Sequence, residues 1–271
     1  MLVIALAVGL SACSANSDTS SSSSQQSGGI QKTFSDVSHI HDLKAFNGEL
    51  FLGTHEGLFK FVSGNKMAMV GTSAFDVMSL AMGESSFFAS GHPSADQEFP
   101  NPMGLIKSDD FGVTWESVSL LGEVDFHSLE VLGSHIYGVN SSNGELLLSK
   151  NSGTNWSNLG KIPHSDLAIN PSNSAEILLI TENGLIHSTN FGSSFKNVLT
   201  TKTPQKIEWT TSGLLGIYGK ELILSSDRGI TWKTIYTFSE ETTDLSAHKK
   251  LVVVVTGSKV NISKDFGLSF K

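Results

Sequence analysis

Along residues 36–271, apolar positions come in short runs that partly alternate with polar ones, and Gly, Asn, Asp and Ser cluster between the runs. That spacing predicts β-strands joined by turns, because amphipathic helices would repeat their apolar positions every three to four residues. In the first unit the runs are His41–Phe46, Glu49–Gly53 and Gly57–Phe61. Comparable runs return further along the chain, each set followed by a polar turn and a short fourth run such as Trp115–Val118.

The turn is the most regular feature. Ser108–Trp115 (SDDFGVTW) recurs as Ser149–Trp156 (SKNSGTNW), Ser188–Phe195 (STNFGSSF), Ser225–Trp232 (SSDRGITW) and Ser263–Phe270 (SKDFGLSF). The glycines Gly112, Gly153, Gly192, Gly229 and Gly267 are 41, 39, 37 and 38 residues apart, one supersecondary unit per copy. Upstream, Gly57–Phe61 matches Gly104–Ser108, but Phe61–Gly64 has lost the acid and the aromatic residue. Six units of four antiparallel strands predict an all-β fold, a β-propeller of about six blades. The last unit is short at Lys271, and Ile30–Phe34 (IQKTF) is expected to supply its outer strand and so close the ring.

These copies resemble the Asp box, or bacterial neuraminidase repeat, of sialidases, sortilin-type propellers and related secreted proteins. The resemblance covers residues 36–271 and implies a structural role for its signature residues. Asp110, Asn151, Asn190, Asp227 and Asp265 would accept hydrogen bonds from N–H groups within the turn. Gly112, Gly153, Gly192, Gly229 and Gly267 would take a positive φ. Trp115, Trp156, Phe195, Trp232 and Phe270 would pack between neighbouring sheets.

The N-terminus changes the picture of where the chain works. Met1–Leu10 (MLVIALAVGL) is apolar, but as a helix it would reach only about 15 Å, half a bilayer core. It reads as a signal-peptide core rather than a span. The following Leu10-Ser11-Ala12-Cys13 resembles the lipobox of bacterial lipoproteins, which implies cleavage before Cys13 and lipidation of its sulfur. The absence of Lys or Arg before the apolar run points to a start codon further upstream. Residues 14–29 (SANSDTSSSSSQQSGG) lack the apolar surface to repay ordering and read as a tether. The expected organisation is therefore a signal peptide over 1–12, a tether over 13–29 and a propeller over 30–271. The expected location is the bacterial cell envelope, outside the cytoplasm, with the lipid as membrane anchor and the chain as a monomer.

Composition then removes whole classes of function. The 271 residues carry 18 Lys+Arg against 26 Asp+Glu, with no basic cluster, so no nucleic-acid face is expected. A single Cys excludes intrachain disulfides, thiolate zinc sites and dithiol chemistry. GxSxG, HExxH, P-loop and GxGxxG motifs are absent. Sialidase chemistry uses an arginine triad around the substrate carboxylate, and this chain has one arginine, Arg228, inside a repeated turn.

Histidine placement supplies the candidate site. In a four-stranded meander, the loop entering the inner strand and the loop between strands two and three share one face, opposite the repeated turns. Aligning inner strands on Leu43, Leu80, Leu129 and Leu167 makes His41 and His127 equivalent, with His39 two residues before His41 and His164 one position off. His55 and His92 occupy equivalent second loops, so His39, His41, His55, His92 and His127 converge on one face of blades one to three. Imidazoles beside Asp42, Glu56 and Asp125 would suit Zn²⁺ or Cu²⁺. The loop Gly91–Pro102 overhangs the same rim.

The segments His39–Leu43, Gly53–Leu58, Ser90–Pro93, Asn101–Leu105 and Asp125–Leu129 also look like those of bacterial extracytoplasmic propellers called glycosyl hydrolase-like. A glycosidase needs two carboxyl groups across a cleft, and Asp42, Glu56, Asp125 and Asp166 are the rim candidates. Three readings stay open at this level: a lipid-anchored propeller that binds a ligand on the histidine face, with or without a metal; a glycan hydrolase or lyase working on the same rim; and a protein-docking or assembly factor.

Overall fold

The computed structural model describes residues 30–271, apart from Ser38, Asp96 and Ser258. The signal, Cys13 and tether readings lie outside the described residues. Six antiparallel sheets follow one another along the chain and pack as the blades of a six-bladed β-propeller. The innermost strands are Ile40–Phe46, Asp76–Met82, Phe126–Leu132, Asp166–Asn170, Lys206–Thr210 and Thr242–His248, from blade 1 to blade 6. Blades 2 to 5 have four strands each, in sequence order from the axis outwards. Among the described residues, no helix is long and apolar enough to cross a membrane.

Alternation puts large side chains between blades. Phe46, Phe51 and Leu58 of blade 1 meet Val77, Leu80 and Phe87 of blade 2 in one cluster, and comparable clusters fill the other boundaries. Each inner strand leaves one backbone edge facing the axis, and side chains of neighbouring blades answer several of those groups. Asp42 Oδ2 accepts from Leu80 N at 2.8 Å and Asp166 Oδ2 from Ile207 N at 2.7 Å. Ser90 Oγ accepts from Phe126 N at 3.1 Å, and Ser246 Oγ from Ala45 N at 2.9 Å.

The repeated turn is built by two residues in concert. In the first copy Ser108 Oγ accepts from Gly112 N at 2.7 Å and donates to Asp110 Oδ1 at 2.7 Å, while Asp110 Oδ1 accepts from Thr114 N at 2.8 Å. The same three bonds recur at Ser149/Asn151, Ser188/Asn190, Ser225/Asp227 and Ser263/Asp265. Gly153, at φ 85°, has Leu105 of the preceding blade where a Cβ would stand, 2.0 Å away. The turn aromatics pack into the inter-blade clusters, Trp115 edge-on to Phe75 at 5.7 Å and Trp156 against Phe126 at 5.0 Å. Blade 1 replaces this turn by a tight hairpin from Gly57–Ser63 to Lys66–Met69, with Gly64 at φ 62°.

The ring does not close as the sequence suggested. Gln31–Thr33 pairs with Lys66–Met69, making blade 1 five-stranded, rather than joining the last blade. Phe34 stacks on Phe61 of blade 1 at 5.9 Å, and Phe34 and Val37 pack against the blade 1 core, which fixes the segment there. Blade 6 has three strands, and Lys271 exchanges backbone hydrogen bonds with Ile262 at 3.1 and 3.3 Å. Closure comes from side chains: Leu251 and Val253 of blade 6 pack with Leu43, Leu52 and Phe59 of blade 1. Asn47 N also donates to His248 Nδ1 at 3.0 Å across the same boundary.

Candidate metal centres on the histidine face

Two three-residue constellations form on the face predicted from the histidines, each across a blade boundary. The first joins His41 of the blade 1 inner strand, His55 of the blade 1 second loop and Asp76 at the start of blade 2. Their contacts form a tight triangle: His41 Nε2 to His55 Nδ1 3.2 Å, His41 Nε2 to Asp76 Oδ1 3.2 Å, and His55 Nδ1 to Asp76 Oδ2 2.9 Å. A tetrahedral zinc ion with bonds near 2.0 Å sets its ligand atoms about 3.3 Å apart, so these edges are close to coordination size.

Hydrogen bonding alone does not settle this triangle well. Both imidazole nitrogens face the same carboxylate, and if both carry protons towards it they meet each other as two donors. Asp76 Oδ1 is buried without an aligned hydrogen-bond partner. Burial holds His41 below the usual imidazole range, outweighing the opposing pull of Asp76, and His55, His39 and His127 act in the same direction as burial. That favours the neutral ring, whose lone pair is what a metal needs.

The second constellation gathers His92, which ends the second strand of blade 2 (Phe87–His92) instead of lying in the loop beyond it, Asp125 just before the blade 3 inner strand and His127 on that strand. It is looser: Asp125 Oδ2 lies 2.8 Å from His127 Nε2 and 3.7 Å from His92 Nε2. Ser141 donates to the same oxygen at 2.9 Å, and Asp125 Oδ1 is buried without a partner. His92 Nδ1 contacts Asn101 Oδ1 at 2.7 Å, an outer contact that orients the ring and leaves Nε2 facing inward.

All five predicted histidines lie on this face. His41, His55, His92 and His127 enter the two sets, whereas His39 is exposed and stands beside the first, its ring 5.3 Å from His55 and 6.1 Å from His41. His164 stays apart, its Nδ1 bonded to the Ile162 carbonyl at 2.5 Å. Asp76 escaped the sequence reading although it carried a signal: it precedes Leu80 by four residues, as Asp125 precedes Leu129 and His39 precedes Leu43.

The other carboxylates have different work. Asp42 gives its oxygens to Leu43 N and Leu80 N and lies 4.0 Å from Lys44, so it clamps strands. Asp166 is not at the rim as expected; it sits in the axial channel 3.8 Å from Lys206, where burial pushes its carboxyl up to about 6. Glu56 lies 3.6 Å from Lys32, with Oε2 buried and unpartnered. Lys44 donates to Glu130 at 2.6 Å; burial opposes its charge, but Asp42, Glu130 and Glu208 hold it well above the ordinary lysine range. Glu208, half-buried in the channel with the Glu130 charge acting on it, is pushed up to about 8 by desolvation first and that charge next. Opposite the histidine face, a funnel of about 1270 Å³ opens among the inner hairpins and reaches Glu130 and Glu208.

No family model matches the chain, and no curated protein matches it by sequence. Its fold is shared with solved propellers. YCF48, in a structure titled as bound to D1 peptide, superposes with a TM-score of 0.54 at 16% identity over 89% of this chain and 83% of that one. The GH74 enzyme of Niastella koreensis gives 0.61 at 15% identity, covering 86% of this chain and 37% of the enzyme. PorZ of Porphyromonas gingivalis, described as an essential surface component of the type-IX secretion system, gives 0.58 at 12%, covering 90% and 34%. The chain therefore spans little more than a third of these last two proteins. At such identities the likeness speaks for the fold alone.

Proposed function

We propose that this protein is an extracytoplasmic propeller of the bacterial cell envelope, tethered by a lipid on Cys13, that binds a transition-metal ion on the histidine face of blades 1 to 3. The observation that carries the reading is the presence of two His₂Asp sets, in each of which the donor atoms lie within 4.8 Å of one another. Imidazole and carboxylate together suit zinc, and imidazole also suits copper. The repeated turns act as Asp boxes in this reading and serve the scaffold. Asp42 is committed to backbone N–H groups, which leaves the glycan-cleaving alternative without one of its acid/base candidates.

The test is elemental analysis by plasma mass spectrometry of the full chain purified in detergent, after dialysis against micromolar zinc or copper. The double variant Asp76→Ala/Asp125→Ala is measured beside it, with folding checked by circular dichroism. Retained metal that disappears in the folded variant supports the proposal. Metal-free wild type overturns it and turns attention to glycan or protein ligands, which pull-down from envelope extracts and glycan arrays would distinguish.

A further inference from the structure

The two metal sets are not copies of one another, and the difference has a simple origin in register. Counting back from the aligned leucines Leu43, Leu80 and Leu129, the position two residues earlier holds His41, Met78 and His127, and the position four residues earlier holds His39, Asp76 and Asp125. The first set combines the loop histidine of blade 1 with the aspartate of blade 2. The second repeats this one blade on, with His92 and Asp125. For its third member the first set reaches back to His41 in blade 1, whereas the corresponding place in blade 2 is Met78, so the second set draws His127 from blade 3 instead.

Each consequence of that register is visible in the geometry. The first set already has coordination-sized edges of 2.9–3.2 Å and a fourth imidazole, His39, at its border. His39 is exposed and stands outside the set whose donor atoms lie within 4.8 Å, its ring 5.3 Å from His55 and 6.1 Å from His41, so a turn of its side chain would be needed to bring a nitrogen to the ion. The second set has one edge of 3.7 Å and shares its inward oxygen with Ser141, His92 is bonded on its outer nitrogen to Asn101, and among the described residues the set comprises two histidines and one aspartate. Four protein ligands make a closed, structural type of site, and three leave a position for an exchangeable ligand.

We infer that the face carries two unequal centres: a closed His₃Asp site in which His39 joins His41, His55 and Asp76, and an open His₂Asp site at His92, Asp125 and His127 that takes a small anion or water on its free position. The inference rests on the metal-binding reading above and adds the division of labour between the two centres. The first would hold its ion as a fixture; the second is where an external ligand with an anionic or lone-pair donor would meet the metal.

Cobalt(II) substitution tests this in the full chain, because tetrahedral Co²⁺ has a visible absorption that reports each site. Asp125→Ala isolates the first site and Asp76→Ala the second, with Asp→Asn versions at both positions if either alanine variant misfolds. In the Asp125→Ala background, His39→Ala should weaken Co²⁺ and Zn²⁺ binding at least about tenfold in chelator competition, since even outer-shell substitutions commonly cost that much. Sodium azide should shift the Co²⁺ spectrum of the second site and leave that of the first unchanged. Two sites that respond equally to azide, with His39→Ala silent, would overturn the inference while leaving metal binding intact. A wild-type chain that binds no metal would remove both.

Discussion

Blades 1 to 3 and blades 4 to 6 are built alike but furnished differently. At the two rim positions ahead of the aligned inner-strand residue, the first half of the ring carries His39 and His41, Asp76 and Met78, Asp125 and His127. In the second half the same positions, counted from Leu167, Ile207 and Leu245, hold Pro163 and Ser165, Thr203 and Gln205, Glu241 and Thr243. The turns behave in the opposite way: blades 2 to 6 share one Ser–Asp/Asn–Gly geometry, and only blade 1 departs from it. Residues that hold the ring together are thus distributed around it, while the two His₂Asp sets found among the described residues lie on one half of one face. In a modular fold the site is grafted onto positions that the scaffold does not need.

The strongest way to break this separation is to strike the scaffold. Gly153→Ala forces a Cβ into a backbone at φ 85° and into Leu105 at 2.0 Å. It should cost about 3 kcal/mol, combining backbone strain with overpacking. Gly144→Ala, also at positive φ (72°) but with open space around it, should cost distinctly less. Urea unfolding at constant slope would measure both, and equal losses would show that the inter-blade leucine contact is irrelevant.

Next in size is the converse experiment at the rim. Asp76→Ala should lower zinc affinity by about a hundredfold or more at the first centre, the scale of losing a ligand whose outer-shell neighbours alone are worth ten- to a hundredfold. The corresponding second-half substitution, Thr203→Ala, should leave affinity unchanged. Competition with a chelating dye measures both, and sensitivity to Thr203→Ala would mean that the site is not confined to blades 1 to 3.

What the sequence disclosed follows the same division. The turns were legible because their chemistry is local: serine, acid or amide, and glycine within five residues specify their own hydrogen bonds. The pairing of Gln31–Thr33 was not, because any exposed edge accepts a strand and the choice fell to Phe34 on Phe61 and Val37 in the blade 1 core. The histidine face was legible from loop equivalence, yet Asp76 was passed over because blade 2 carries Met78 where blades 1 and 3 carry His41 and His127, so no histidine marked the start of its inner strand. The channel charges were hidden for a related reason. Lys44, Glu130 and Glu208 come from alternate blades and meet only when the ring closes.

That channel gives a third, smaller test, since it belongs to neither half. Glu208 has its carboxyl raised from 4.5 to about 8, by burial first and by Glu130 next. A group raised in the folded state gives its full stability below the unfolded value and loses it as pH rises towards the folded one, here between about 4.5 and 8. Glu208→Gln removes that loss, so the variant should match the wild type near pH 4.5 and exceed it by about 1–2 kcal/mol at pH 8, with screening in the open funnel keeping the gain modest. Thermal unfolding at the two pH values reads the difference; a variant less stable than wild type at pH 8 would mean that ionised Glu208 is needed by Lys44.

The smallest effect separates the turns from one another. Asp110, Asp227 and Asp265 are each held down at about 2, chiefly by the side-chain hydrogen bond from Thr114, Thr231 and Ser269 respectively, whereas Asn151 and Asn190 occupy the same place without a charge. A carboxyl lowered in the folded state contributes stability above its unfolded value near 3.8 and loses it as pH falls towards 2. Acid should therefore weaken blades 2, 5 and 6 before blades 3 and 4, and between pH 4 and 2.5 amide protection, taken relative to the intrinsic exchange rate at each pH, should fall at Thr114, Thr231 and Ser269 while Asn155 and Ser194 keep theirs. Asp110→Asn should abolish the acid response at Thr114 alone, because the amide oxygen still accepts that N–H and no longer titrates. A uniform loss at all five turns would instead mean that acid acts through global opening of the ring and not through the three aspartates, since Asp166 and Glu208, raised to about 6 and about 8, are already protonated across this range.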